Sequence, residues 1–241
     1  MVIISPRIKL YSDWKEPLTP KIVLTDLHRI TQQVNQFFGR KKVWYLPGDS
    51  RKQALEHLAF NEQGATDKII QIFEQEYKDE YPFIGKSIWD GEDNDDLTCS
   101  ISYHNYRRDR LGQTEVSINL NIEEKEFQFY HLMEFVNFLV SNRNLPYIMV
   151  ETRGYRIKRK QVFPDRLSAG WMLYLPIEID PALVPMAEEI IPVSDKNSEK
   201  GSLIITTKDI FDIENQAHIN KANDIEICLR DLQILPLISE I

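Results

Sequence analysis

The sequence is poor in the residues and motifs that usually announce a chemistry. Its 241 residues hold two cysteines, Cys99 and Cys228, far apart in the chain. Two buried free thiols in a reducing cytosol are expected rather than a disulfide, and no Cys/His spacing suits zinc. Nine glycines are few, and none forms a phosphate-cradling loop or a dinucleotide fingerprint. No Gly-x-Ser-x-Gly elbow and no paired-histidine motif is present. No apolar run approaches the roughly 20 residues that span a bilayer. The opening Met-Val-Ile-Ile-Ser-Pro-Arg has no basic segment followed by a long apolar one, so no signal peptide is expected. His218 with Asp212, Glu214 and Glu226 is the best acid–base grouping available. Asp212 and Glu226 are about four helical turns apart, so they do not meet on one straight helix.

Cations are also scarce, but only in one part of the chain. Residues 175–241 carry five Lys and Arg against thirteen Asp and Glu, which accounts for the whole formal net charge of −8. An acidic surface repels nucleic-acid and membrane phosphates and attracts a basic partner, or it serves solubility alone. The most acidic short stretch lies elsewhere, at residues 89–96, Trp-Asp-Gly-Glu-Asp-Asn-Asp-Asp. It matches a calcium loop only in composition, because the alternating ligands and the closing glutamate are missing. It reads as a solvated loop or as a contact loop for a basic partner.

The chain is organised around residues 169–176, Ala-Gly-Trp-Met-Leu-Tyr-Leu-Pro. An uncharged run between a glycine and a proline reads as a strand covered on both faces. Residues 2–10, interrupted by Pro6, suggest an edge strand. Residues 25–38 suggest a helix capped by Thr25 and ended by Gly39. Further helices are expected from Asp49 or Ser50 to Phe60, and from Thr66 to about Tyr81. Residues 97–103 and 115–122 read as strands, the second with one wet face. A hairpin loop between them carries Arg107, Arg108 and Arg110. Glu123, Glu124 and Glu126 are expected to open an apolar, central helix. Residues 147–151 and 203–205 read as strands, with a basic exposed hairpin or strand edge at 153–160. Residues 191–201 read as a long loop, and 209–232 as one or two helices. The pattern is α+β, a mixed or mainly antiparallel sheet packed with several helices. It fits a single domain over residues 1–241, with a soft subdivision near Gly112.

Gly154-Tyr155, Asp165-Arg166 and Gly170-Trp171-Met172-Leu173-Tyr174-Leu175-Pro176 resemble the immunity protein 52 family of bacterial polymorphic toxin systems. The resemblance continues in Asn215, His218-Ile219, Ala222-Asn223, Ile225-Glu226, Leu229, Asp231-Leu232 and Leu235-Pro236. Upstream, Trp44, Gly48-Asp49-Ser50, Ala54-Leu55 and Trp89 fit as well. The resemblance implies a cytoplasmic, non-enzymatic protein with no catalytic residues, metal or cofactor. Its implied partner is the C-terminal domain of a cognate toxin with a restriction-endonuclease-like fold, often delivered by type VI secretion. Direct binding to nucleic acid or membrane is not implied. The polar positions Asn215, His218, Asn223 and Asp231 are expected to be caps and buried hydrogen bonds.

Charge and resemblance together nominate an interface of Asp90, Glu92, Asp93, Asp95, Asp96, Glu178, Asp180, Glu188 and Glu189. Two other classes remain open at this point: an adaptor whose partner is not a toxin, and a small acidic metal-dependent enzyme using Asp93, Asp95 or Asp96.

Overall fold

The apolar run at residues 172–175 lies inside the sheet. The computed structural model describes residues 1–105 and 111–241, so the expected loop arginines Arg107, Arg108 and Arg110 lie outside the described residues. The chain opens with β1 (Ile3–Ile4) and β2 (Pro6–Asp13), followed by α1 (Pro20–Phe38) and α2 (Arg51–Leu55). A small hairpin of β3 (Phe60–Asn61) and β4 (Gly64–Ala65) precedes α3 (Asp67–Asp79) and β5 (Gly85–Trp89). Next come β6 (Ser100–Asn105), β7 (Gln113–Asn119), β8 (Ile122–Glu123) and α4 (Phe129–Ser141). The last elements are β9 (Tyr147–Thr152), β10 (Met172–Leu175), β11 (Glu189–Ser194), β12 (Lys200–Ile205) and α5 (Gln216–Asp231).

Eight strands form one antiparallel sheet in the order β11-β12-β10-β9-β2-β7-β6-β5. The architecture is α+β. Because side chains alternate between faces along a strand, the sheet sorts the core into two layers. Ile8, Leu10, Ile148, Val150, Met172 and Tyr174 point to the layer shared with α1, α3 and α4. Tyr11, Met149, Leu173, Leu175 and Ile204 point to the other, where Ile225 and Leu229 of α5 cover them. Every residue of β10 is buried, as expected of a strand with both faces covered. Among the described residues, no helix is long and apolar enough to cross a membrane.

Gly170 turns the chain into β10 with φ at +47°, and a Cβ there would sit 2.8 Å from the Val150 carbonyl oxygen. Gly170→Ala is therefore expected to destabilise the fold by about 2 kcal/mol or more, from left-handed backbone strain plus the clash. Urea unfolding checks this, and a loss below about 0.5 kcal/mol would contradict it.

Several boundaries differ from expectation for identifiable reasons. The first long strand is interior, between β7 and β9, and Pro6 is tolerated because it is the strand's first residue. Helix α1 starts at Pro20, with Thr19 Oγ1 accepting from Ile22 N at 3.3 Å. Proline favours the first helical position, and Thr25 sits on the helix's exposed side. Ser50 caps α2, which ends at Leu55 instead of Phe60, because Leu58 bridges to Tyr45 and Phe60 pairs in β3. Thr66 caps α3, which ends at Asp79. The glutamates at 123–126 end β8 and form a separate 3₁₀ turn. Helix α4 begins only at Phe129, after Phe127 has packed its ring against Trp171 at 5.4 Å. It is amphipathic rather than wholly enclosed, with Tyr130 exposed.

Residues 191–201 are a hairpin, not a long loop. Its turn is held by Asp195 Oδ1, which accepts from Asn197 N at 2.7 Å and Glu199 N at 3.0 Å. Pro192 fits there because β11 is the outermost strand. In the last helix Asn215 is the N-cap, His218 Nδ1 accepts from Asp212 N, and Asp231 pairs with the exposed Arg230. Asn223 Oδ1 is buried without a hydrogen-bond partner among the described residues. Both cysteines are free, Cys99 buried and Cys228 partly exposed.

Candidate functional site

Strand register decides which connections share an end of the sheet. Thr152 pairs with Pro6, Arg7 with Asn119, Asn119 with Ser100, and Ser100 with Trp89. The connection after β9 and the connection from β5 to β6 therefore leave from the same end. Four strand spacings separate them, roughly 19 Å. The first is basic and the second acidic.

The acidic connection is built on a buried ion pair. Lys42 Nζ lies 2.5 Å from Asp90 Oδ2, and both side chains are almost fully enclosed. Asp90 Oδ1 also accepts from Cys99 N at 3.0 Å and Glu92 N at 3.4 Å. Asp90 thus organises the loop from inside and is not a surface carboxylate, which corrects its place among the expected interface residues. Gly91 follows at φ +67°, with the Tyr45 ring where a Cβ would be. Arg51 donates to the Gly91 carbonyl at 2.9 Å and pairs with Asp93. Asn94 Oδ1 accepts from Asp96 N at 3.1 Å, closing the turn that carries Asp95 and Asp96. Glu92 is half-buried; Asp93, Asp95 and Asp96 are exposed. Burial pushes the nearby Cys99 thiol up to about 12, so it packs as a neutral group.

The other expected residues are scattered. Glu188 and Glu189 lie at the same strand end but beside β11, the opposite edge of the sheet. Seven strand spacings, roughly 34 Å, separate the two edges. Glu188 pairs with Lys221 at 2.6 Å, which holds its carboxyl below the usual range, and Glu189 pairs with Lys208 at 2.9 Å. Glu178 and Asp180 follow β10 at the far end of the strands. Glu178 is 3.7 Å from Lys200, and Asp180 caps a short turn through Ala182 N. The nine residues are therefore not one surface. The group held together is Glu92, Asp93, Asp95 and Asp96.

The basic connection is a compact turn, not a hairpin or strand edge. Tyr155 N donates to Thr152 O, Lys158 N to Gly154 O, and Lys160 N to Tyr155 O. Tyr155 is fully buried, its ring edge-on to Phe211 at 5.7 Å. Its hydroxyl donates to Glu226 Oε1 at 3.2 Å. Glu226 also accepts from Ala169 N at 3.1 Å and Val162 N at 2.8 Å, tying both ends of the segment to α5. Burial raises the Glu226 carboxyl to about 7 despite these donors. The turn presents Arg153, Ile157, Lys158 and Arg159 to solvent. Ile157 is 86% exposed, the highest value for any large apolar residue described.

Beside the turn, the polar part of the sheet face that α5 packs on forms a groove of about 260 Å³, lined by Arg7, Lys9, Asn119, Glu151, Arg153 and Arg156. Arg7 is lowered to about 10, first by burial and then by Arg153. Glu151 is raised by burial, with Ser168 donating to it. Sequence reading noted the basic run at 153–160 but missed Ile157, Arg7 and Glu226 as parts of one region. The isolated apolar residue between Arg156 and Lys158 was the available signal for Ile157.

No protein-family model matches this chain, and no curated protein matches it. Among the described residues, no group of three or more His, Cys, Asp or Glu is placed to hold a metal ion. What this end of the sheet offers is a fixed charge pattern, carboxylates at one edge and guanidinium groups nearer the middle.

Proposed function

We propose that this chain is an immunity protein, of the kind it resembles, that binds and neutralises a nuclease-like toxin domain in the cytoplasm of the producing bacterium. The observation that carries the reading is the rigid acidic loop. Glu92, Asp95 and Asp96 are presented on a backbone locked by Asp90, Arg51 and Asn94. A loop fixed before binding loses little entropy when a partner takes it up. A nuclease supplies the complementary surface, because it must carry cations for phosphates. The carboxylates at Glu178, Asp180, Glu188 and Glu189 are locally neutralised or remote, so among the acidic residues the contact is assigned to the loop.

Reversing Asp95 and Asp96 to lysine is expected to slow association with the toxin domain about tenfold at low salt and to flatten the salt dependence. Folding stability should change little, since both side chains are exposed. Stopped-flow association at several salt concentrations tests this. An unchanged rate and salt slope would remove the loop from the interface.

A further inference from the structure

The acidic loop explains attraction to a cationic surface but leaves the basic turn at the same end of the sheet without a role. Five of the eight residues at 153–160 are Lys or Arg. Lys158 is neutralised by Glu214 at 2.6 Å. Arg153, Arg159 and Lys160 make no salt bridge among the described residues, while Arg156 donates to the Pro164 carbonyl. Glu214 also acts on Lys160 and Glu151 on Arg156, which leaves Arg153 and Arg159 as the exposed cations of the turn without a salt bridge among the described residues. A free surface gains nothing from holding them on a fixed backbone around an exposed isoleucine. A partner that brings carboxylates and a small apolar recess would reward each part of the arrangement.

We infer that residues 153–160 form a second arm of the same binding face, seating Ile157 and the flanking guanidinium groups in a carboxylate-lined pocket of the partner protein. This rests on the immunity reading given above. A metal-dependent nuclease carries both complements close together: carboxylates that hold a divalent ion, and cations beside them that hold the phosphates. A face with an acidic loop roughly 19 Å from a basic turn matches that pattern in reverse. The occupant assigned to the turn is therefore the metal-binding carboxylate cluster of the toxin domain. The neighbouring groove adds the half-buried Arg7 guanidinium to the rim of the same contact, while Lys9 there is paired with Glu115 at 2.8 Å.

The test uses the full chain and the C-terminal domain of a candidate nuclease-like toxin encoded next to its gene, with dissociation constants measured by biolayer interferometry. Four proteins are compared: wild type, Ile157→Asp, Arg153→Glu with Arg159→Glu, and Asp95→Lys with Asp96→Lys. Circular dichroism and melting confirm that each variant is folded. Both turn variants should bind about tenfold or more weakly, mainly through faster dissociation. Magnesium should weaken wild-type binding beyond sodium chloride of equal ionic strength, and this excess should vanish in the turn variants.

If the turn variants bind like wild type while the acidic-loop variant weakens, the inference fails and the immunity reading stands. If wild type does not bind the domain, the immunity reading itself fails. Loss of self-association or of duplex DNA binding in the turn variants, with toxin binding intact, would assign the turn to another partner and overturn the inference.

Discussion

Asp90→Ala is expected to cost about 3–5 kcal/mol of folding stability, because it leaves the Lys42 ammonium buried without its counter-charge. It also removes the acceptor for Cys99 N, a buried donor at the start of β6. The lysine cannot simply turn to water. Its side chain is buried, and its ammonium lies 4.4 Å from the centre of the Phe38 ring. The double change Lys42→Met with Asp90→Asn should recover most of the loss. Methionine fills the space of the stem, and the asparagine oxygen keeps the bond to Cys99 N. Urea unfolding of the single and double variants measures the coupling directly. If Asp90→Ala loses less than about 1 kcal/mol, the pair does not lock the loop, and the loop's rigidity needs another source.

The second large effect is at Glu226. Glu226→Ala removes the acceptor of Tyr155 OH, Val162 N and Ala169 N together. Each buried donor left unpaired costs roughly 1–3 kcal/mol, so a loss of several kcal/mol is expected at pH 5. The loss should be smaller at pH 8. The native carboxyl holds its proton up to about 7, against an ordinary value of 4.5. The folded state therefore binds more protons than the unfolded one between those values, and wild-type stability falls as pH rises through that window. A shift of this size corresponds to something on the order of 3 kcal/mol. The alanine variant has no such group, so the gap between the two proteins should narrow from pH 5 to pH 8. Chemical denaturation of both proteins across that range gives the comparison, and a gap independent of pH would contradict the account. The same variant should loosen the basic turn, because Tyr155 and residues 162–169 lose their tie to α5.

Local signals in the sequence carried much of the fold. The uncharged run before Pro176 marked a fully buried strand, and Gly39 marked the end of a long helix; the alternation at 115–122 marked a strand that in fact stops at Asn119, because Ile122 pairs separately with Ile4. Other features depended on which neighbour a residue would meet. Pro6 looked like an edge signal, yet it starts an interior strand because its missing N–H falls at the strand's end. Pro192 looked like a loop signal and lies in a true edge strand. The glutamates at 123–126 looked like a helix start, but Phe127 is claimed by Trp171 first.

The acidic loop was visible as composition. What composition does not encode is that Asp90 turns inward to Lys42, forty-eight residues away in sequence. Nor does it encode that Glu188 and Glu189 lie across the whole width of the sheet from the loop. The relation between the acidic loop and the basic turn depends on strand order, which no stretch of the sequence carries.

The proposed neutralisation of a toxin by direct binding requires the strand end that bears residues 90–98 and 153–160. The most direct measurement is co-expression with the C-terminal domain of a candidate toxin encoded next to this chain's gene, scoring growth and co-purification in the same cells. The account predicts restored growth with a stable complex, and loss of both when Asp95 and Asp96 are reversed to lysine together with Ile157→Asp. Continued toxicity with no complex formed by the wild-type chain would contradict it.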